Sequence, residues 1–365
     1  MQPRNFDMEL AEGKWYHAIG VMSGSSMDGL DIALCKFAKI DNKWEYEVLA
    51  SHPKEFPGNV REALVKSTDL SAKDFFQLDA AFGDWIGHNV KMVVQDLNEL
   101  PLFAAVHGHT VFHYPQSGYS TQLGDGAHIA AKSGIPAITS FRQLNIAYKG
   151  QGAPLVPFGD LHLFPEYDAC LNLGGIANIS LHAANQLKAW DISPCNQVFN
   201  YLAQKMGQAF DRDGVIAISG KVEPDLLTQL NRLEFYQEAI PKSMGNHFIK
   251  DQVIPLLEKY DCSVPNKMKT FQKHVEDKIF EALTHSDAKK VLVTGGGAFN
   301  TALIKDLQDN ELGIAFHIPS KEVVENKEAI IFAFLGLFRW FGLPNILASY
   351  SGATKDCSGG TIHLP

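Results

Sequence analysis

The sequence lacks long apolar runs and a regular cysteine pattern, and each absence excludes a class of protein. The longest apolar run, at 329–338, ends at Arg339 and is shorter than the roughly 20 residues of a membrane span, so we predict a buried helix there. The five cysteines are widely spaced and include no CxxC motif, which excludes a disulfide framework and a zinc ribbon. This cysteine usage predicts a reducing, cytoplasmic location.

The sequence also lacks a basic tract. Its 32 lysines and arginines against 41 aspartates and glutamates give a net charge of −9. Because neutralising phosphates requires clustered basic residues, a nucleic-acid partner and an anionic membrane surface are excluded. Segment 1–14 carries charges throughout and no apolar core, so no export is predicted. We expect a small-molecule ligand, and an anionic one would need backbone amides or a metal to offset the charge of the protein.

The chain repeats one order of elements twice. From His17, three apolar strands form a meander, followed by helices near 58–66 and 72–97 and a strand near 102–107. From Tyr167 the meander returns, followed by helices near 196–208 and 267–285 and the segment VLVTGGG. With 365 residues, this order predicts a duplicated α/β fold with lobes at 15–160 and 161–365 and a ligand-binding cleft between them.

The segment SGSSMDG at 23–29 joins the first two strands and combines glycines, hydroxyls and one carboxylate. Gly24 and Gly29 permit a close approach of the backbone to an anion, and the hydroxyls add donors. Asp28 could hold Mg²⁺ beside a nucleotide, directly or through water. An ordinary polar hairpin with Asp-Gly at its tip is the alternative.

Two further glycine turns occupy matching places. Gly174 and Gly175 lie at the equivalent turn of the second meander, and glycines 295–297 lie where a strand is followed by a helix. Orphan amides at a helix start favour phosphate, so the three turns together predict a nucleotide site, although each alone could be a packing device. Neither a GxGxxG motif nor a Walker A loop is present.

Asp191 ends the third strand of the second meander, just before Ser193, Pro194 and a helix. A carboxylate there can act as general base toward a hydroxyl or a water, as phosphoryl transfer often requires. An aspartate that caps the following helix is the alternative from spacing alone.

A histidine cluster and one arginine mark the first half of the chain. His107, His109 and His113 have no carboxylate or cysteine nearby to complete a zinc site, so hydrogen bonding to a substrate is favoured over metal binding. Arg142 is a candidate for pairing with an acidic group of a ligand through its planar guanidinium. A surface ion pair is the other interpretation of Arg142.

Taken together, these motifs resemble the anhydro-N-acetylmuramic acid kinases, which are sugar kinases of the actin-like ATPase superfamily. The similar segments occur in the order of the family and are GVMSGSSMDGLDIAL, HGHT, STQLG, KGQGAPLVP, LNLGGIANIS, FDRDG, PKSMG and TGGGAFN.

The resemblance implies a duplicated actin-like (ribonuclease H-like) fold and a reaction in which Mg-ATP and water convert a 1,6-anhydro sugar to N-acetylmuramic acid 6-phosphate during cell-wall turnover. By position it implies that Asp191 activates the water. It assigns nucleotide binding to Ser23, Gly24, Ser25, Ser26, Met27, Asp28, Gly29, Leu30, Asp31, Gly174, Gly175, Asn178, Gly295, Gly296 and Gly297. It assigns sugar binding to His107, Thr110, Gln122, Arg142 and Glu328. The family forms dimers, but no feature of the sequence identifies a dimer surface.

Departures from the family pattern fall near the expected sugar site. Ser193 and Cys195 replace two glycines after Asp191, and each adds a side chain where backbone alone is usual. Ser140 and Asn145 stand where the family has acidic residues, and Lys149 adds a cation. Two alternatives therefore stay open, a kinase of a different amino sugar and a non-catalytic nucleotide-binding protein of the same fold.

Overall fold

The computed structural model describes residues 10–24, 29–183, 186–240, 242–284 and 286–365, without the side chains of 183 and 186. The chain divides into two compact units. The first unit is Met1–Phe164 with Asn326–Pro365, and the second is Pro165–Glu325.

The first unit is built on a mixed sheet that begins with the predicted meander. Its strands and a separate hairpin are β1 (Tyr16–Ser23), β2 (Gly29–Ile40), β3 (Lys43–Ser51), β4 (Lys54–Glu55), β5 (Ala104–Val106), β6 (His109–Tyr114), β7 (Tyr119–Leu123) and β8 (Ala137–Thr139). Strands β1, β2 and β3 pair antiparallel, β1 pairs parallel with β5, and β5 pairs parallel with β8. Strand β4 adds to β2, and β6 pairs with β7 in the hairpin.

Helices cover this sheet. They are α1 (Gly58–Val65), α2 (Ala72–Val94), α3 (Gly126–Ser133), α4 (Gln143–Ala147) and α5 (Pro157–Leu163), with 3₁₀ turns at Ser67–Asp69 and Pro115–Ser117. The Ser71 side chain caps α2 by accepting from the backbone N–H of Asp74. Apolar residues at helical spacing, such as Phe82, Ile86 and Val90, bury the inner face of α2 in the core of the unit.

The second unit repeats the same plan. Its strands are β9 (Ala169–Leu173), β10 (Ile176–Ala183), β11 (Gln186–Pro194), β12 (Lys290–Thr294) and β13 (Ala315–His317). Strands β9, β10 and β11 pair antiparallel, whereas β9 with β12 and β12 with β13 pair parallel. The order β11-β10-β9-β12-β13 therefore matches β3-β2-β1-β5-β8 of the first sheet, in both sequence order and strand direction.

The helices of the second unit pack on this sheet around a large apolar core. They are α6 (Asn196–Gln204), α7 (Val215–Ser219), α8 (Pro224–Asn231), α9 (Asn246–Phe248), α10 (Ile254–Lys259), α11 (Val264–Thr284) and α12 (Thr301–Gln308). Turns of 3₁₀ helix lie at Arg212–Gly214, Glu234–Gln237 and Gly296–Phe299, and a π turn at Ile249–Val253 precedes α10.

The C-terminal segment belongs to the first unit, which corrects the predicted lobe at 161–365. After α13 (Lys321–Trp340) and α14 (Ala348–Ser351), strand β14 (Thr361–His363) pairs antiparallel with β8 at the edge of the first sheet. The predicted buried helix at 329–338 is confirmed as part of α13. A Cβ on Gly20 of β1 would lie 1.7 Å from the Ala329 carbonyl oxygen, so only glycine permits this approach of α13.

The predicted duplicated α/β fold is confirmed, since each unit carries one three-stranded antiparallel meander extended by two parallel strands. This is the arrangement that the actin-like resemblance implies. Among the described residues, no helix is both long and apolar enough to span a membrane.

Candidate functional site

A row of polar side chains crosses four strands of the second sheet. Asp191 of β11 pairs in register with Asn178 of β10, which pairs with Asn172 of β9, which pairs with Thr294 of β12. Register partners present their side chains on the same face of a sheet, so these four residues form a continuous polar line. The line leads from the candidate base to the triple-glycine turn.

A β-bulge decides which side chains of β11 join this row. The register shifts between Ala177 and Asn178, so Ile192 is an extra residue on β11. Without it, Asp191 and Ser193 would share one face, because side chains alternate along a strand. With it, Asp191 is half-buried while Ser193 is fully buried beneath the sheet.

One carboxylate oxygen of Asp191 is held and the other is not. Oδ2 accepts hydrogen bonds from the Met244 backbone N–H at 2.6 Å and from the Ser243 hydroxyl at 3.1 Å. Among the described residues no group donates to Oδ1. Burial raises the pKa of Asp191, and the two hydrogen bonds oppose that rise. A fixed carboxylate with one free oxygen is the geometry of a general base.

Asp191 is not a helix cap. It lies inside β11, and α6 begins only at Asn196, with Cys195 at its N-cap position. The alternative interpretation as a capping aspartate is therefore wrong, because β11 continues past Asp191 to Pro194.

The turn at Gly174 and Gly175 packs against the start of α6. The Gly175 carbonyl accepts from the backbone N–H groups of Cys195 and Gln197, and the Gly174 carbonyl accepts from that of Asn196. The turn therefore occupies three amides that a helix N-terminus would otherwise offer to an anion. This is a packing role, and a nucleotide contact at this turn stays a prediction.

The triple-glycine turn lies at the end of β12 beside the polar row. Gly295 has φ of +80°, and a Cβ there would lie 2.5 Å from the Asn172 Oδ1 atom, so a side chain does not fit. At Gly296 an added Cβ would meet a single atom, Asn196 Nδ2, at 3.4 Å. The backbone of Gly296 is thus open to a ligand. The adjacent Thr294 hydroxyl is buried and has no hydrogen-bond partner in the part of the chain that the structure describes.

The first glycine loop is described only at its two ends. Ser25, Ser26, Met27 and Asp28, and with Asp28 the predicted metal contact, lie outside the described residues. Ser23 ends β1 with a buried hydroxyl, and Leu30 and Asp31 open β2. A Cβ on Gly29 would contact the Lys54 carbonyl oxygen, so Gly29 permits β4 to pair closely.

In the first unit, Arg142 joins His107 to the loop that follows α4. Its Nη1 donates to the Gly152 carbonyl and its Nη2 donates to His107 Nε2, both at 2.8 Å. Burial, and then the charge of Arg142, lower the pKa of His107 well below its usual value, so the imidazole is neutral near pH 7. Burial lowers the pKa of Arg142 to about 10, so the guanidinium stays charged. Because the guanidinium donates to a backbone carbonyl and to a buried imidazole, the interpretation of Arg142 as part of a surface ion pair is wrong.

The β6–β7 hairpin supplies a second polar group to this region. Gln122 Nε2 donates to the Ser120 hydroxyl at 2.7 Å and to the Thr110 hydroxyl at 3.4 Å. Gln122 Oε1 is buried, and no described residue donates to it. His113 Nδ1 lies 3.0 Å from the same Ser120 hydroxyl, and burial lowers the pKa of His113 to about 4. No group of three or more potential ligands that could hold a metal occurs among the described residues. His109 is buried.

Glu328 lies on α13 with charged groups around it. Burial raises its pKa, whereas Lys327 and Arg142 lower it. Lys327 in turn forms a buried ion pair with Asp160 of α5 at 2.9 Å. The structure thus brings His107, Arg142 and Glu328 into one electrostatic group within the first unit.

Most departures from the family pattern have structural roles. Asn145 is fully buried, donates to the Ser351 hydroxyl and accepts from the Gly152 N–H, so it anchors the loop that Arg142 also holds. Cys195, like Ser193, is buried rather than projecting beside the base, and burial raises the pKa of its thiol to about 12.

The other two departures lie in strained backbone. Ser140 and Lys149 have positive φ values of 58° and 68°. Lys149 lines a cavity of about 410 Å³ with Ile146 and the turn of the β6–β7 hairpin.

Sequence reasoning missed the residues that support Asp191. Ser243 and Met244 reach it from a segment more than one element away, and their one signal is the PKSMG motif, noted only as a family match. Asn172 has a local signal, since it is the single polar residue of the otherwise apolar strand β9.

The chain is similar to proteins of one named family. A family model described as anhydro-N-acetylmuramic acid kinase matches residues 16–365. A protein of that name from Vibrio parahaemolyticus is 33% identical, with 94% of this chain and 97% of the relative covered. One from Gloeothece citriformis is 31% identical, with 96% and 99% covered.

Among solved structures, component A of the Acidaminococcus fermentans (R)-2-hydroxyglutaryl-CoA dehydratase is 14% identical, with 87% of this chain and 96% of that chain covered and a TM-score of 0.45. At this TM-score the likeness adds nothing to the strand order of the two sheets.

Proposed function

The chain belongs to the anhydro-N-acetylmuramic acid kinase family, and on that premise we propose that it is an ATP-dependent phosphotransferase acting on a 1,6-anhydro amino sugar. The substrate is 1,6-anhydro-N-acetylmuramic acid, and the product is N-acetylmuramic acid 6-phosphate. The relatives that carry the name of this kinase match this chain over nearly their whole length.

The observation that carries the proposal is the setting of Asp191. Its Oδ2 is fixed by Met244 and Ser243, and its Oδ1 is left to accept a proton. The raised pKa of the buried carboxyl brings its basicity closer to neutral pH, which favours proton transfer from a weak acid such as water.

The reaction balances around that proton. Asp191 takes a proton from a water, whose oxygen bonds to the anomeric carbon of the sugar while the intramolecular glycosidic bond breaks. The oxygen released on carbon 6 takes the γ-phosphoryl group of ATP, and ADP leaves. One carboxylate therefore suffices, because the phosphoryl group takes the place of the proton that the leaving oxygen would need.

Nucleotide binding is assigned to the glycine turns. Gly296 fits this role because its backbone is open beside the buried Thr294 hydroxyl, and Gly295 precedes it in a positive-φ conformation that forms the turn. The remaining nucleotide contacts are proposed at 23–31, at Gly174, Gly175 and Asn178, and at Gly297. Mg²⁺ would offset the charge of the phosphates, and Asp28 is its proposed ligand, directly or through water.

Sugar binding is assigned to the polar group of the first unit. Arg142 offers a charged guanidinium, Gln122 a buried carbonyl without a partner, and Glu328 a carboxyl whose pKa burial raises. His107 and Thr110 complete the proposed set. Arg142 suits the carboxylate of a muramic acid, because a guanidinium pairs well with carboxylates.

Oxygen-18 water tests the reaction. The protein is incubated with Mg-ATP and the anhydro sugar in labelled water, and the sugar phosphate is analysed by mass spectrometry. N-Acetylmuramic acid 6-phosphate in the same water measures exchange at the anomeric carbon. We expect a sugar phosphate that carries one oxygen-18 atom, in a fraction larger than exchange alone produces. In Asp191→Asn we expect kcat to fall by about 10²- to 10⁴-fold, because the general base is lost.

Asp168→Asn is the matched control. Asp168 lies in the same unit and its Oδ2 also accepts from two donors, the N–H groups of Lys289 and Lys290, but it is remote from the polar row in the sheet register. Full activity in Asp191→Asn, or no sugar phosphate from the unaltered protein, would refute the proposal.

A further inference from the structure

The segment 242–244, here called the clamp, holds Asp191 from two sides. The Asp191 backbone N–H donates to the Lys242 carbonyl at 3.0 Å. The Met244 N–H and the Ser243 hydroxyl donate to Asp191 Oδ2 at 2.6 and 3.1 Å. Both the strand and the carboxylate of Asp191 are thus registered against the same three residues. The position of the Asp191 carboxylate therefore depends on the position of the clamp.

The clamp is tied to the protein by the side chain of Lys242. Its Nζ donates to the Phe235 carbonyl at 2.8 Å and lies 4.5 Å from the centroid of the Phe235 ring and 5.8 Å from that of Tyr236. A cation over an aromatic face is attracted by the ring, and its four-carbon stem packs along the apolar surface. Met244 is buried and contributes an apolar anchor at the other end of the clamp.

The aromatic turn that receives Lys242 is itself held rigidly. The Tyr236 hydroxyl lies 2.7 Å from His274 Nε2, and His274 Nδ1 lies 2.6 Å from Asn231 Oδ1. A carbonyl oxygen only accepts, so the proton of the neutral imidazole is on Nδ1, and Tyr236 donates to Nε2. Phe235 also packs on the Phe248 ring at 5.3 Å between centroids.

This hydrogen-bonded chain does not change with pH near neutrality. His274 is fully buried, and burial lowers its pKa to about 3, so it keeps one proton. Burial raises the pKa of the Tyr236 phenol, which therefore stays protonated. The turn is a fixed support, to which Lys242 is joined by a charged hydrogen bond.

We propose that Lys242 is a positioning residue for the base of the reaction, acting by fixing the clamp to the Phe235–Tyr236 turn. The inference rests on the proposed function for the role of Asp191, and it adds a residue whose side chain contacts the Phe235–Tyr236 turn rather than Asp191 itself. Lys242 transmits the rigidity of the turn, since its side chain binds the turn while its own carbonyl and the next two residues bind Asp191.

The charges around Lys242 provide a matched control. Burial has the largest effect on the pKa of Lys242 and lowers it. Glu238 and Glu281 raise this pKa, and Lys278 lowers it. Lys278 places its Nζ 4.6 Å from the same Tyr236 ring and pairs with Glu281 at 2.7 Å. Removing Lys278 therefore removes a similar contact between a cation and an aromatic ring on the same turn, but it removes no hydrogen bond of the clamp.

The test measures the pKa of the Asp191 carboxyl directly, by carbon-13 NMR of the whole protein labelled at the aspartate carboxyl carbons. The Asp191→Asn variant assigns the resonance. Lys242→Met keeps the apolar stem but loses the charge and the donor, which loosens the two hydrogen bonds that favour the charged carboxylate. We expect its Asp191 pKa to rise by about 0.5 to 1 unit. Two variants should leave the pKa of Asp191 unchanged. They are Lys242→Arg, which can donate to the same carbonyl and stack on the same ring, and Lys278→Met.

Kinetics supply a second readout. We expect kcat to fall about tenfold to a hundredfold in Lys242→Met with the KM for ATP unchanged, because a misplaced base affects the chemical step and not nucleotide binding. Lys242→Arg should recover most of that loss.

Two results would overturn the proposal. One is an Asp191 pKa in Lys242→Met equal to that of the unaltered protein, and the other is an equal rise in Lys278→Met. Should Lys242→Met not fold, Lys242→Leu gives the same comparison, because leucine also keeps an apolar stem and has no donor. If the unaltered protein makes no sugar phosphate, the proposed function fails, while the NMR measurement still decides whether Lys242 positions Asp191.

Discussion

The buried ion pair between Lys327 and Asp160 gives a sharp prediction about the support of α13, the helix that carries Glu328. Lys327 precedes Glu328 on α13, and its Nζ lies 2.9 Å from Asp160 Oδ1 of α5. The two side chains are only 3% and 2% exposed, so water cannot solvate either charge if the other is removed. Lys327→Met keeps the length of the side chain and leaves the Asp160 carboxylate buried without that ammonium.

The expected cost follows from this burial. Breaking a buried pair by removing one partner costs about 3–5 kcal/mol, because the remaining charge keeps its desolvation penalty. The double variant Asp160→Asn with Lys327→Met leaves no buried charge at this pair, so its cost should be smaller than the sum of the single costs by about 2 kcal/mol or more. The matched control is Lys321→Met on the same helix. Its pair with Glu325 is 3.5 Å long and exposed, and such pairs contribute about 0–1 kcal/mol.

Equilibrium unfolding in urea, followed by circular dichroism, measures these differences. All four variants and the unaltered protein are compared at one pH near 7. A loss in Lys327→Met no larger than that in Lys321→Met would refute the reasoning, as would strictly additive costs in the double variant. Additive costs would mean that the two charges do not stabilise each other.

Two other changes test the packing and the pH response. Gly20→Ala places a Cβ 1.7 Å from the Ala329 carbonyl oxygen, so it should lower the free energy of unfolding by more than the usual overpacking cost of about 1–3 kcal/mol. Gly58→Ala is the control, because a Cβ there has no atom within 4 Å and should cause no such loss. Thermal melting of the two variants measures the difference. Burial raises the pKa of Glu276, so the folded state holds a proton that the unfolded state has already lost, and stability should fall as pH rises above about 4.5 toward the folded pKa. Glu276→Gln should flatten the dependence of Tm on pH over that range, and an unchanged slope would contradict this cause.

The parts of the fold that could be predicted are those with local signals. Each meander consists of consecutive strands separated by short turns, so apolar runs and turn residues suffice to place it. The duplication could be predicted because the same order of strands and helices appears twice along the chain. The return of the C-terminal segment to the first unit could not be predicted, because β14 has three residues and pairs with a strand more than 200 positions away.

The support of Asp191 also had no local signal. Ser243 and Met244 reach its carboxylate across about 50 positions of chain, and the spacing along the sequence does not encode such a contact. The sequence pattern leaves Asp191 open to two roles, a general base and a helix cap, and the resemblance favours the base. The spacing is compatible with a helix cap, but the folded chain excludes it, because β11 continues past Asp191.

The bulge in β11 decides what the departures after Asp191 change. Strict alternation along a regular strand would place Asp191 and Ser193 on one face, where a serine in place of glycine would crowd the base. The extra residue Ile192 shifts the register and turns Ser193 into the core, where it faces Tyr236, and Cys195 is buried just beyond it. Both substitutions therefore change the apolar layer under the strand rather than the polar row above it. For this reason they carry no argument for a different sugar, and the departures whose side chains are not buried are Ser140 and Lys149 of the first unit.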